Sequence, residues 1–129
     1  MNICLITGAG GLIGSEAVDF FSDKFDLIIG IDNDMRSYFF GDEASTNWNV
    51  EKLKQNYFNY QHYSVDIRNQ EDLKKVFVKY NTDISLIVHT AAQPSHDWAA
   101  KEPFTDFTVN ANTAYFASRY IYSSLFLPD

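Results

Sequence analysis

Short runs of consecutive apolar residues alternate with segments whose apolar residues recur every three or four positions, the alternation of βαβ units and a parallel sheet. Asn2 to Thr7 is apolar at successive positions and stops at Gly8, as a strand buried on both faces would. Ile13, Ala17, Phe20 and Phe21 then fall at helical spacing, and Asp26 to Ile31, rich in β-branched residues, predicts a second strand. Residues 32 to 47 carry Asp, Asn, Ser and Gly and read as a long loop. A short helix follows, capped by Asn47 and including Val50 and Leu53. Tyr60 to Val65 predicts a third strand. Asn69 has the place of an N-cap ahead of a stripe of Leu73, Val76, Phe77 and Tyr80. Ile84 to His89 predicts the fourth strand. After a loop holding Pro94 and Pro103, residues 104 to 126 read as one helix rich in Phe and Tyr. Four strands with these crossovers make part of an α/β, doubly wound parallel sheet with flanking helices, in the order 3-2-1-4.

Composition narrows the classes. At 129 residues the chain has room for one domain, and 46% apolar with 21% charged residues is a folding mixture rather than a disordered one. A net charge of -7, with no basic patch, argues against nucleic acid and anionic membrane surfaces as partners. The single cysteine, Cys4, can form neither an internal disulfide nor a multi-thiolate metal site, and in its apolar run it reads as a buried, inert thiol. His62, His89 and His96 are too scattered for a metal site. No basic, apolar leader opens the chain and no run approaches the ~18 apolar residues of a membrane span, so the expected location is the cytoplasm.

The chemistry concentrates between the first strand and the first helix. Four of the six glycines lie in Thr7-Gly8-Ala9-Gly10-Gly11-Leu12-Ile13-Gly14. Gly8 suits the tight turn, Gly11 lets a pyrophosphate approach the backbone, and Gly14 lets the helix pack close to the strand. The helix N-terminus, beginning at Leu12 and Ile13, offers free N–H groups and a positive dipole end to phosphates. Asp32 closes the second strand, 18 positions after Gly14, where a carboxylate accepts hydrogen bonds from an adenosine ribose and favours NAD over its 2′-phosphorylated form. Arg36 nearby offers a phosphate contact instead. Asp66, after the third strand, reads equally as an adenine contact or as a turn residue ahead of a helix. The small residues of His89-Thr90-Ala91-Ala92-Gln93 either let the backbone pass close to a dinucleotide or simply pack tightly. Ser95-His96-Asp97 is no catalytic triad, because its members are neighbours in sequence rather than converging from separate segments. With Trp98 they line a pocket beside the cofactor or form a solvated loop.

These motifs resemble the extended short-chain dehydrogenase/reductase superfamily, and within it the nucleotide-sugar epimerases. Gly30 to Arg36 and His89 to Trp98 are most similar to the CDP-paratose (CDP-tyvelose) 2-epimerases, and the resemblance runs from Met1 to about Ala117. It implies a Rossmann fold with tightly held NAD, a smaller domain for the nucleotide sugar, and oxidation of a sugar carbon followed by re-reduction on the other face. By the same resemblance Gly8, Gly11, Leu12, Ile13 and Gly14 form the phosphate loop and Asp32 is the ribose acid. Asn33 and Arg36 fall in the adenosine-side loop, Asp66 and Ile67 at the adenine, and Ala91, Ala92 and Gln93 on the cofactor-edge strand. Asn110 matches an asparagine that steadies the active-site region. One departure is large: these enzymes use Tyr-x-x-x-Lys as proton acceptor, and none of the eight tyrosines here is followed four positions later by lysine; Tyr115 with Arg119 is the nearest. The expectation is therefore residues 1–129 as the NAD-binding Rossmann domain, with later strands and the sugar domain absent and no catalytic residue in the chain. A non-enzymatic dinucleotide-binding module and a piece of a related dehydratase or dehydrogenase are the alternatives. The Phe/Tyr-rich stretch 104–126 is expected to support self-association.

Overall fold

Consecutive apolar residues in β1 (Ile3–Thr7) and β2 (Leu27–Ile31) have only protein to face, and the computed structural model buries them at the centre of a four-stranded sheet. β3 (Tyr60–Tyr63) flanks β2, β4 (Ile84–His89) flanks β1, and every pairing is parallel, giving the predicted order β3-β2-β1-β4. The structure describes residues 1–115, 118 and 119. Its α-helices are α1 (Leu12–Phe21), α2 (Met35–Phe40), α3 (Asn47–Asn56), α4 (Gln70–Tyr80), α5 (His96–Lys101) and α6 (Pro103–Phe107). No described helix is long and apolar enough to cross a membrane.

Side chains alternate across the two faces of the sheet, so each strand feeds two cores. Ile3, Leu5, Ile29 and Ile31 pack with Leu73, Val76 and Phe77 of α4 and with Val109. Cys4, Ile6 and Ile28 pack on the opposite face with Val18 of α1, Leu53 of α3 and Tyr60. This is the doubly wound arrangement, and each fully buried Ile or Leu contributes about 1.5–3 kcal/mol through area removed from water. Burial also pushes the Cys4 thiol up to about 11, which keeps it protonated and inert, as its apolar run suggests.

Several expectations need correction. Residues 32–47 are not one loop: α2 and a 3₁₀ turn at Asp42–Ala44 lie within them. The helix escapes notice because it is only six residues long and its inward pair, Met35 and Phe39, is one turn apart amid polar and exposed aromatic neighbours; Phe39 is buried and Met35 half-buried. The residue that opens α3 is Thr46, whose carbonyl accepts from Asn49 N and Val50 N, rather than Asn47. In α1, Ile13 and Phe20 are 64% and 60% exposed, and the face turned inward carries Gly14 and Val18. Ala17 and Phe21 of the expected stripe pack against the same core, while the close approach of the helix at Gly14 leaves Ile13 and Phe20 at the rim. The third strand ends at Tyr63, short of Val65. The segment with Pro94 and Pro103 contains α5, and the stretch from 104 is not one regular helix. It begins as α6 with Pro103 in its first turn and widens into a π-helical turn at Thr108–Asn112. The part of the expected helix from 120 to 126 lies outside the described residues.

Candidate functional site

A parallel sheet leaves the carboxyl ends of its strands open between the helices on its two faces, and a cleft forms where the crossovers diverge. Here β1 connects to α1 on one face and its neighbour β4 runs on toward the π turn on the other. The cleft between them has a volume of about 230 Å³. Gly8, Gly11, Leu12, Ile13 and Gly14 line its middle, Asp32, Asn33 and Arg36 its β2 end, and Ala91, Ala92 and Pro94 its β4 end; Ile67 contributes from beyond β3. Eleven candidate residues therefore meet in one cavity.

The turn at its centre depends on two glycines. Gly8 has φ +71°, and a Cβ there would also lie 2.7 Å from Ala91 N. A Cβ on Gly14 would lie 2.0 Å from the Gly8 carbonyl oxygen. The turn, the helix start and the β4 edge are thus in mutual backbone contact. Gly11 precedes α1 with no side-chain cap, so the first-turn N–H groups open toward the cleft without a competing hydroxyl or carboxylate.

Asp32 is tied into this turn. Its Oδ2 accepts from Gly10 N at 3.0 Å and its Oδ1 from Asp34 N at 2.8 Å, which fixes the carboxylate plane while leaving lone pairs available. Asp34 follows in the left-handed region, φ 58°, and gathers the rest of the loop. Its carboxylate accepts from Ser45 Oγ at 2.7 Å, Thr46 N at 2.7 Å and Thr46 Oγ1 at 3.2 Å. Burial opposes ionisation of Asp34, but these hydrogen bonds outweigh it and hold its carboxyl below the usual carboxylate range. Asn49 of α3 completes the tie by donating to the Gly10 carbonyl at 3.0 Å. Sequence reasoning missed Gly10, Asp34, Thr46 and Asn49. The dense Asp/Ser/Thr content of 32–47 was a signal for local side-chain-to-backbone bonding, but not for its partners.

At the other end, Thr7 Oγ1 and His89 Nδ1 share a hydrogen bond of 2.7 Å between neighbouring strand ends. Thr90 donates to the Thr7 carbonyl from both N, 3.1 Å, and Oγ1, 2.7 Å. Burial pushes the His89 imidazole below its ordinary value, so it stays neutral. Across the mouth, Trp98 Nε1 donates to the Phe39 carbonyl at 2.9 Å and its ring meets Phe39 and Tyr38 at 5.6 and 5.7 Å. This joins α5 to α2 beside the cleft.

Three candidates stand off the cleft. Asp66 pairs with Arg68, Nη2 to Oδ2 at 2.6 Å and Arg68 N to Oδ1 at 2.9 Å. Burial opposes its ionisation, and the Arg68 bonds overcome that and keep its carboxyl low. Gln93, although buried, lies behind Ala91 and Ala92, and Asn110 Oδ1 accepts from Gln93 N at 2.8 Å. Ser95 caps α5 through Trp98 N, while His96 and Asp97 are exposed.

The profile of the NAD dependent epimerase/dehydratase family matches residues 4–120. The chain is 32% identical over 93 residues to a UDP-glucuronate 4-epimerase of Thermodesulfobacterium geofontis, covering 72% of this chain and 27% of that protein. In fold it is similar to the UDP-Glc/GlcNAc 4-epimerase of Campylobacter jejuni, with TM-score 0.77 and 18% identity over 96% of this chain and 34% of that one. It is also similar to the Bordetella bronchiseptica enzyme WbmH in complex with NAD+, with TM-score 0.72 and 18% identity over 97% and 36%. The chain thus spans roughly a quarter to a third of the length of these relatives. Because that profile spans nearly the whole chain, the chain belongs to the NAD dependent epimerase/dehydratase family.

Proposed function

We propose that this chain is the NAD-binding portion of a nucleotide-sugar epimerase. The observation that carries the reading is the bond from Gly10 N to Asp32 Oδ2, which locks the phosphate turn and the ribose acid into one preformed surface. The chain's own residues fit the group. Uncapped N–H groups at Leu12 and Ile13 suit a pyrophosphate, the free lone pairs of Asp32 suit ribose hydroxyls, and Val65 and Ile67 offer an apolar wall for a base. A 2′-phosphate beside Asp32 would meet like charge, which favours NAD over its phosphorylated form, with Arg36 the only cation among the described lining residues to offset it.

Bound NAD would supply hydride acceptance and return at a sugar carbon. Proton removal from the sugar hydroxyl would need a Tyr-x-x-x-Lys pair, which these 129 residues do not contain, so the reading gives them the cofactor half of the work alone. For the substrate, Gly30–Arg36 and His89–Trp98 support a CDP-sugar 2-epimerase, while the 32% identity to UDP-glucuronate 4-epimerase supports a UDP sugar. A nucleotide sugar is what the two have in common. The proposal extends to a cytoplasmic location and to self-association through the aromatic face beginning at Phe104.

Calorimetric titration with NAD, its 2′-phosphorylated form and an Asp32→Ala variant tests the proposal. The expected result is NAD binding that is tighter than binding of the phosphorylated form and about tenfold weaker in the variant, the loss of hydrogen bonds to a charged acceptor. A folded wild-type chain that binds neither dinucleotide would overturn it.

A further inference from the structure

Asp106 lines no part of the cleft, yet two side-chain amides converge on it. Its Oδ1 accepts from Gln93 Nε2 at 3.1 Å and from Asn110 Nδ2 at 3.0 Å. An acceptor-only group facing both NH₂ ends fixes which way each amide points. Asn110 is left with Oδ1 toward Gln93 N, at 2.8 Å, and Gln93 with Oε1 toward Ser95 N, while Gln93 Nε2 also reaches the Ser95 carbonyl at 2.8 Å. Every member of the clasp is satisfied, and its backbone contacts bracket the residues immediately after Ala91 and Ala92. Those two residues form the β4 end of the cleft, and Ala91 N lies where any Cβ on Gly8 would go.

We propose that Asp106 is a positioning residue for the dinucleotide: through Asn110 and Gln93 it holds the Ala91–Ala92 wall in the place that receives the nucleoside beyond the pyrophosphate. This rests on the NAD reading above. The order β2-β1-β4 assigns the halves. The adenosine half lies at Asp32, Asn33 and Arg36 on the β2 end and the pyrophosphate at the α1 N-terminus over β1, which leaves the β4 end for the second nucleoside. ADP therefore reaches the first two regions only, and NAD all three.

The test compares affinities of wild type, Asp106→Ala and Asp106→Asn for NAD and for ADP. Removing the acceptor is expected to weaken NAD about tenfold and ADP by less than about twofold, while Asp106→Asn, which keeps an acceptor oxygen, recovers most of the loss. Equal weakening of both ligands, or no change in either, would overturn the assignment, because a merely structural role cannot separate them. Amide hydrogen exchange supplies a readout that needs no ligand. In Asp106→Ala the Gln93 and Ser95 amides are expected to lose protection while Thr90, bonded to Thr7, keeps it; unchanged Gln93 and Ser95 would overturn the clasp. Wild-type protein that binds neither nucleotide overturns the functional reading and the ligand side of this proposal with it. Exchange then still decides whether Asp106 holds the wall.

Discussion

A methyl group on residue 14 would come within 2.0 Å of the Gly8 carbonyl oxygen and 2.8 Å of Ala9 Cα, both backbone atoms that cannot rotate away. Gly14→Ala is accordingly expected to destabilise the chain by about 3 kcal/mol, read as a lower urea midpoint at unchanged slope. Two histidines set a second residue-level expectation. Burial is the leading cause that lowers His62, with Lys54 adding to it, and burial alone lowers His89. Both therefore bind protons more readily when unfolded, where their value is near 6.5. Their contribution to stability is complete above that pH and is lost as pH falls through the lower folded values. Urea midpoints measured from about pH 7.5 down to about 5.5 should fall, and His89→Gln should flatten the decline. The glycines were legible at this scale because only a steric demand spaces them at 8, 11 and 14 between a strand and a helix. Asp34 was not: its importance lies in Ser45 and Thr46 bonds made across the loop, and no periodic signal marks them.

Among the elements, α4 follows its sequence most closely. Asn69 Oδ1 accepts from Asp72 N at 3.2 Å, Glu71 and Asp72 occupy the first turn and Lys79 the last, and Leu73, Val76 and Phe77 are buried in one stripe. Asn69→Ala is expected to cost about 1 kcal/mol in denaturant unfolding, the usual loss for a cap of this kind. β1 and β2 were equally plain, because they sit inside the sheet and must be apolar on both faces, whereas the edge strand β3, Tyr-Gln-His-Tyr, carries a weaker pattern. α2 and the π turn were hidden for opposite reasons. α2 is six residues long and is tied to its neighbours by the bonds of Trp98 to the Phe39 carbonyl and of Tyr38 to Glu102, which leave no periodic trace. The π turn gains one residue within an otherwise helical pattern, and in the chain that reads as a continuous helix. Asp106, one turn before Asn110, was therefore overlooked although it carries the clasp.

For the whole molecule, the negative charge and the exposed aromatic residues set what the chain does in solution. Phe104, Phe107 and Tyr115 are 77%, 58% and 58% exposed, Phe104 and Phe107 on α6 and Tyr115 just beyond the π turn. Light scattering at high micromolar concentration is expected to give a mass above the monomer, and raising the salt should favour association further by screening the net charge of -7. A strictly monomeric mass would remove self-association from the proposal.

The contact between Trp98 and Phe39 also has an optical consequence. The chain's two tryptophans occupy opposite environments: Trp48 is 69% exposed, whereas Trp98 is half-buried, with its indole N–H bonded to a carbonyl and its ring against Phe39, itself a wall of the cleft. A water-borne quencher such as iodide reaches the first far more readily than the second. With Trp48 silenced, the remaining emission comes from an indole one side chain away from the proposed dinucleotide cleft, so a change in that emission on adding NAD is expected if the cleft is filled.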